Sequence, residues 1–262
     1  MLKQLTLLCI FSIAFTSYGL DSKKRSIIIP DIELELIRVN PGTFLMGSPP
    51  DEVLRDKAEG PQTKVTITQR FWLAKTEVTQ AQYEAIAGSN PSRFKEVGPN
   101  APVEEVSWDD AMQFCKLLNE REREAKTLPK GYEYTLPTEA QWEYACRAGT
   151  TTPYAGLPSA MSWSNGNSKK TTHVAGLLQP NDWGFYDMSG NVLEWCFDWY
   201  GDYPGGSVKN PSGPKRGHFR IGRGGSWRMD SRVGRSAARA GGSQGRRDYT
   251  IGFRVALCST KP

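Results

Sequence analysis

A single domain of short strands and short helices, with little long regular structure, is the fold that the sequence predicts. Three observations carry that expectation. The 262 residues include 26 Gly, 17 Pro and 8 Trp, a composition that favours turns. Hydrophobic residues make up 38% and aromatic residues 11%, enough apolar bulk for one substantial core. Short alternating apolar segments and short capped helical patterns follow one another along the chain, separated by Gly and Pro.

Ile32, Leu34 and Leu36 alternate toward Arg38 as a first strand, and Pro41-Gly42 turns the chain into a second over 43–46. Residues 51–62 read as a charged loop. Val65, Ile67 and Thr68 then alternate into Phe71-Trp72-Leu73 as one third strand. Thr79 caps a helix with Tyr83, Ala85 and Ile86 on its apolar side, and Asn90-Pro91 ends it. Ser107 caps the next, with Asp109 and Asp110 in the first turn, where the helix dipole favours acids. Its buried face is Ala111, Phe114, Cys115, Leu117 and Leu118. Thr138, after Leu136-Pro137, caps a third helix with Trp142, Tyr144 and Ala145 inward. A long irregular stretch runs to Pro180. Beyond it come a Gly- and Pro-rich loop over 201–217 and strands over 218–223 and 252–255.

Residues 1–19 read as a signal peptide. Lys3 gives a positive start, 5–15 is an apolar run too short to span a membrane, and Ser17 and Gly19 are the small residues cleavage needs. Leu7 and Leu8 before Cys9 argue against a lipoprotein signal. Residues 20–31 are expected to be a linker and 32–262 the domain, in an exported protein, periplasmic or secreted, with no transmembrane anchor after cleavage. Cys115, Cys146, Cys196 and Cys258 then remain, with no CxxC, so a zinc ribbon is not expected. Two histidines, His173 and His218, exclude a multi-histidine metal centre on supply alone. The net charge is +5, but ten Lys or Arg between Lys215 and Arg247 face the single acid Asp230. That excess favours acidic or sulfated ligands; without a nucleic-acid motif, no nucleic-acid partner is expected.

The stretch 181–200, NDWGFYDMSGNVLEWCFDWY, combines aromatic bulk with carboxylates that cannot all be buried bare. Asp187, Gly190, Val192 and Glu194 are spaced so that two carboxylates and two carbonyls can meet on one hard cation, and all-oxygen ligation suits calcium. The competing reading is that Asp187 caps a turn and Glu194 pairs with an arginine.

Several segments together resemble one family. They are PGTFLMGS from Pro41, TEVT from Thr76, PV and VSW from Pro102 and Val106, LPTEA and WEYACR from Leu136 and Trp142, GNVLEW from Gly190, GGSW from Gly224 and GFR from Gly252. Together they resemble the formylglycine-generating enzyme, or sulfatase-modifying factor, domain over nearly the whole mature chain. The resemblance implies an α+β fold related to C-type lectins, with little regular secondary structure and often with calcium. The family's cation site uses an Asn or Asp, two carbonyls and a Glu, which correspond to Asp187, Gly190, Val192 and Glu194. A second family calcium site falls in 164–180, where this chain has no carboxylate.

In catalytic members of the family, two cysteines after GGS bind copper(I) and a sulfatase cysteine is oxidised to formylglycine. The matching window, 227–236, has no cysteine; Met229 and Ser231 stand near the thiol positions, so copper is not expected. Ser226 and Arg239 match family site positions and, with Trp227, form the expected binding pocket. Cys115 and Cys146 match family disulfide positions. The partner of Cys115 would fall at Val255, three residues before Cys258, so a Cys115–Cys258 bridge is expected. The partner of Cys146 would be Ser236, leaving Cys146 and Cys196 either paired or free. The resemblance therefore implies a non-catalytic member that binds a peptide or acidic ligand, or a sulfatase. The alternatives are an oxygen-dependent protein-modifying enzyme of the same family and a scaffold like the retroelement-diversified variable proteins. The last fits less well, because the window between GGSW and GFR contains no Asn.

Overall fold

The protein is described here by a computed structural model of residues 25–260, so the expected signal peptide lies outside the described residues. In chain order, β1 (Ser26–Ile29), β2 (Leu34–Val39), β3 (Gly42–Met46), β4 (Thr63–Ile67) and β5 (Phe71–Ala74) precede helices α1 (Gln80–Ala87) and α2 (Trp108–Glu124). Then come β6 (Tyr132–Thr135), α3 (Glu139–Arg147), the one-turn α4 (Pro158–Met161), and the two-residue strands β7 (Ser162–Trp163) and β8 (Ser189–Gly190). The chain closes with β9 (Leu193–Trp199), β10 (Ser207–Lys209), β11 (Arg220–Arg223), β12 (Arg239–Gly242), β13 (Ile251–Phe253) and β14 (Ala256–Ser259). Short helices beside several sheets make this the expected α+β fold.

All three helix starts lie where the sequence places them. Thr79, Ser107 and Thr138 each close a capping box: the side chain accepts the N–H three residues on, and the residue there reaches back to the cap N–H. Such a cap contributes about 1 kcal/mol by satisfying donors the helix leaves open.

The strands differ from expectation in several places: β6, β7, β8, β9, β10 and β12 form where the sequence predicts none. Ser26–Ile29, expected as linker, pairs antiparallel with β2 as an edge strand. The single strand expected over 65–73 is two: β4 joins the sheet β10-β4-β3, while β5 joins β1-β2-β5-β14-β6. The closing strand is also two. β13 runs parallel to β9, with Gly252 opposite Glu194, and β14 pairs with β5 and β6. Arg254 lies at that change of sheet, which carries it inward beside β9.

The five-stranded sheet separates two cores. Leu36, Trp72 and Leu257 face α1 and α2, packing with Phe114, Cys115 and Leu118. Ile37, Leu73 and Ala256 face the other way, toward Trp142, Ala145 and Cys146 of α3. Successive strand residues point to opposite faces, and this parity corrects the expected disulfide. Leu257 faces Cys115, whereas Cys258 packs on the α3 side, its Sγ 3.5 Å from Gln141 Nε2. With the sheet between them, Cys115 and Cys258 do not bridge; Cys115, Cys146, Cys196 and Cys258 are all free thiols.

Candidate ligand face and cation site

The turn that follows β11 builds the site. Gly224 and Gly225 have φ of +89° and +71°, where a side chain is strained, and a Cβ on Gly225 would lie 3.2 Å from Val233 O. The reversal drives Ser226 and Trp227 inward, to 2% and 6% exposure. Neighbouring loops hold the segment. Trp227 N–H donates to Asn191 O at 2.8 Å, Asn165 N–H to Met229 O at 2.9 Å, and Ser168 Oγ to Trp227 O at 2.9 Å.

Around Trp227 lies an aromatic cluster. Its ring is 5.4 Å from Phe94, edge to face, and 5.8 Å from Tyr249, while its Nε1 donates to Tyr249 O at 3.2 Å. Two exposed arginines flank the cluster. Arg93 sits 4.8 Å over the Tyr249 ring, and Arg228 lies 5.5 Å from the same ring and donates to its hydroxyl. Sequence reasoning missed Phe94 and Tyr249. The available signal was an aromatic beside basic residues in each loop, Arg93-Phe94 and Arg246-Arg247-Asp248-Tyr249.

Arg239 does not share this place. Its guanidinium grips Glu139 through two bonds of 2.7 and 2.9 Å, donates to Ala58 O and Gly201 O, and lies 4.1 Å from the Tyr203 ring centre. It lines a cavity with Asp198 and Tyr203 that includes neither Ser226 nor Trp227. The expected pocket is thus divided, with Ser226 and Trp227 on one face and Arg239 in another cavity. Ser226 Oγ is buried without a hydrogen-bond partner. The basic segment as a whole is largely spent on structure. Arg223 pairs with Glu143, Arg235 with Glu59 and Glu52, and Arg247 with Asp110, while Arg220 lies between the Trp108 and Trp199 rings.

The cysteines do not reconstitute a copper site. No thiol occurs between Ser226 and Ser236. Cys146 Sγ lies 3.6 Å from Ser236 Oγ, the position its family partner was expected to occupy. Burial raises the Cys146 thiol to about 11 and that of Cys258 to about 12, and it lifts Cys115 and Cys196 well above the ordinary range. Copper(I) selects thiolates, so this donor set does not fit it.

The cation set is rearranged too. Both Glu194 oxygens are engaged: Arg254 Nε and Nη2 each donate at 2.6 Å, and Trp142 Nε1 donates at 2.7 Å. The ion-pair alternative therefore describes Glu194. Asp187 Oδ2 accepts the Gly176 N–H at 2.7 Å, but its Oδ1 is buried without a partner. Beside it stands Glu77, 0% exposed, whose oxygens meet no N–H donor; its one hydrogen-bond neighbour is the Asp187 carboxyl, a contact that needs a shared proton. In the sequence Glu77 stands only within the TEVT segment, two residues before the Thr79 cap. Burial, then repulsion from Asp187 and Glu194, holds the Glu77 carboxyl well above its ordinary range; burial foremost lifts Asp187 to about 6. Gly190 and Val192 sit between Asp187 and Glu194, and a Cβ on Gly190 would lie 2.1 Å from Trp163 O. Among the described residues, no three His, Cys, Asp or Glu side chains converge as metal ligands. Any cation here would rest on Glu77, Asp187 and backbone carbonyls.

Comparison with known proteins agrees with this anatomy. The chain is 31% identical over 210 residues to the chaperone protein LppX of Paenibacillus barcinonensis, covering 62% of this chain and 71% of that one. It is 31% identical over 186 residues to the formylglycine-generating enzyme of Mus musculus, spanning 60% of this chain but only 44% of the enzyme. Its structure is similar to that of Treponema denticola variable protein 1, with a TM-score of 0.78 and 27% identity over 88% of this chain and 97% of that one. Residues 31–258 match the sulfatase-modifying factor enzyme 1-like domain, and the chain belongs to that family.

Proposed function

We propose that this chain is an exported, non-catalytic member of the family that binds a peptide or acidic protein segment. Its ligand face is the Phe94, Trp227 and Tyr249 cluster with Arg93 and Arg228. One observation carries the reading: the segment after Ser226 holds Arg228, Met229, Asp230 and Ser231, with no thiol. Half-buried Phe94 and Tyr249, backed by the buried Trp227 ring and edged by exposed guanidinium groups, suit a segment of mixed apolar and acidic side chains. A relative named a chaperone protein is consistent with protein binding. The test has two arms. Purified protein is incubated with copper(I), oxygen and a CxPxR peptide; formylglycine seen by mass spectrometry would overturn the proposal. Titration with Ac-Asp-Glu-Asp-Glu amide should give saturable binding that weakens with salt, and no binding by wild type would count against this face.

Calcium is proposed as a structural cation at Glu77 and Asp187, with the Gly190 and Val192 carbonyls as further donors. The three carboxylate oxygens that meet no N–H donor are what support it. Hard oxygen ligands of this kind suit calcium, and the ion would offset the burial and, after it, the repulsion that raise both carboxyls. Calcium is expected to raise the melting temperature by about 5 °C or more, and Glu77→Gln to abolish that gain. If neither chelator nor Glu77→Gln changes the melting temperature, the cation reading fails.

A further inference from the structure

We infer that the cavity beside Arg239 is a second ligand site, taking an alkylammonium group carried on an apolar chain. It opens between β3, β4, β10 and the loop after β9, with a volume of about 330 Å³, and no residue of the Trp227 cluster lines it. Its apolar walls come from Met46, Val65, Val208 and Tyr203. Pro204, Pro211 and Pro214 stiffen the rim. Gly213, at φ +73°, lets the rim loop close on the carboxyl side: a Cβ there would meet Asp198 Cβ and Trp199 O at 2.9 Å.

The charges in this cavity do not cancel. Among the described residues Arg239 is its only cationic lining residue, and Glu139 already neutralises it through the two-bond grip. Asp198 remains, its Oδ2 accepting the Glu139 N–H at 2.8 Å with no salt bridge to an arginine among the described residues, and Asp202 stands exposed at the rim. An anionic ligand would meet two acids, while a cation would add to the attraction that Asp198 otherwise gets only from Arg239 and Arg220, both engaged elsewhere. Burial first, and then the Glu139 charge, push the Asp198 carboxyl up to about 8. That is the condition of a buried acid waiting for a cation. The apolar walls ask for a hydrocarbon chain behind the charge, so a bare metal ion fits poorly. A free alkylamine and a lysine side chain share this chemistry.

The test follows the Met46 methyl resonance of the intact protein during titration with hexylamine, hexanol and hexanoate. Hexylamine should shift it saturably and bind about tenfold more tightly than hexanol, with hexanoate not binding, because a charge-assisted bond to Asp198 adds to the same hydrocarbon contact. Asp198→Asn keeps an acceptor for the Glu139 N–H and should remove the preference for amine over hexanol. Val208→Phe fills the cavity with every charge intact and should remove both ligands. Nα-acetyl-lysine amide, run in parallel, names the source: binding like hexylamine points to a protein lysine, and its failure beside bound hexylamine to a free amine. Hexanoate binding as tightly as hexylamine would overturn the site. So would an unchanged amine preference in Asp198→Asn or, should that variant not fold, amine binding retained in Val208→Phe.

Discussion

Two regions of this protein bury carboxylates in opposite ways. Under β11 and β12 three buried glutamates meet arginines, Asp198 of the neighbouring cavity being the exception. Glu143 takes Arg223 and Arg147, Glu139 takes Arg239, and Glu59 takes Arg235. Around the GNVLEW turn and the loop before Val106, Glu77, Asp187 and Glu104 keep buried oxygens with no N–H donor. Burying a charge is costly unless it is paired and hydrogen-bonded, so the two arrangements cannot serve the same end. The first is closed by the chain itself and fixes the fold. The second is completed from solvent, by a proton or a cation, and responds to conditions.

The largest effect that could break this contrast comes from the closed region. Glu143→Ala would leave Arg223, 0% exposed, and Arg147 without their carboxylate and would free the Gly47 N–H. Stranding a buried charge typically costs on the order of 3–5 kcal/mol, read as a drop in denaturant midpoint. Glu77→Gln, in the open region without calcium, should cost far less, because it replaces a carboxyl whose charge burial already disfavours. Equal losses for the two variants would erase the distinction.

A smaller effect sharpens the contrast through pH. Glu104 Oε1 accepts the Phe94 N–H at 2.8 Å, its Oε2 has no partner, and burial raises the carboxyl to about 7. The folded value lies above the unfolded one of about 4.3, so folding favours the protonated form. Its stabilising share is complete near pH 4, falls as pH rises toward 7, and is absent above that. Glu104→Gln should flatten this slope, making the variant more stable than wild type at pH 8 by about 1–2 kcal/mol but not at pH 4. Denaturant titrations at the two pH values decide it, and parallel curves for both proteins would refute the assignment.

Much of the fold was legible because its signals are local. Thr79, Ser107 and Thr138 announce helices within four residues, and Leu34 and Leu36 show their buried face by simple alternation. What stayed hidden depends on partners far along the chain. Nothing near Glu194 or Arg254 tells that they meet across 60 residues. Nor does the run from Val65 to Leu73 show that it changes sheets at 68–70, since both halves keep the strand period. The same parity that makes Leu257 face Cys115 turns Cys258 away. Ser226 and Arg239 looked like one pocket because both match family site positions, yet Arg239 lines the cavity beside Asp198 and Ser226 does not. The open carboxylates were half legible: Asp187 was singled out, but Glu77 was hidden by its position just before a helix cap.

The smallest effect concerns the arginines that belong to neither region. Arg228 is exposed, and its contacts are the Tyr249 ring and hydroxyl rather than a buried acid. An exposed cation–π contact is worth about 0.5–1 kcal/mol, and surface substitutions of this kind usually stay within about 0.5 kcal/mol. Arg228→Ala should therefore leave the denaturation midpoint nearly where it is. Its effect on the acidic peptide should be larger, a loss of about threefold or more with a shallower salt dependence, because a guanidinium at the rim acts on a charged ligand through solvent. Adding Arg93→Ala, on the other side of the same ring, should deepen the loss without further cost to stability. If the double variant loses stability like Glu143→Ala while holding the peptide unchanged, these two arginines belong with the closed clamp and the ligand face lies elsewhere.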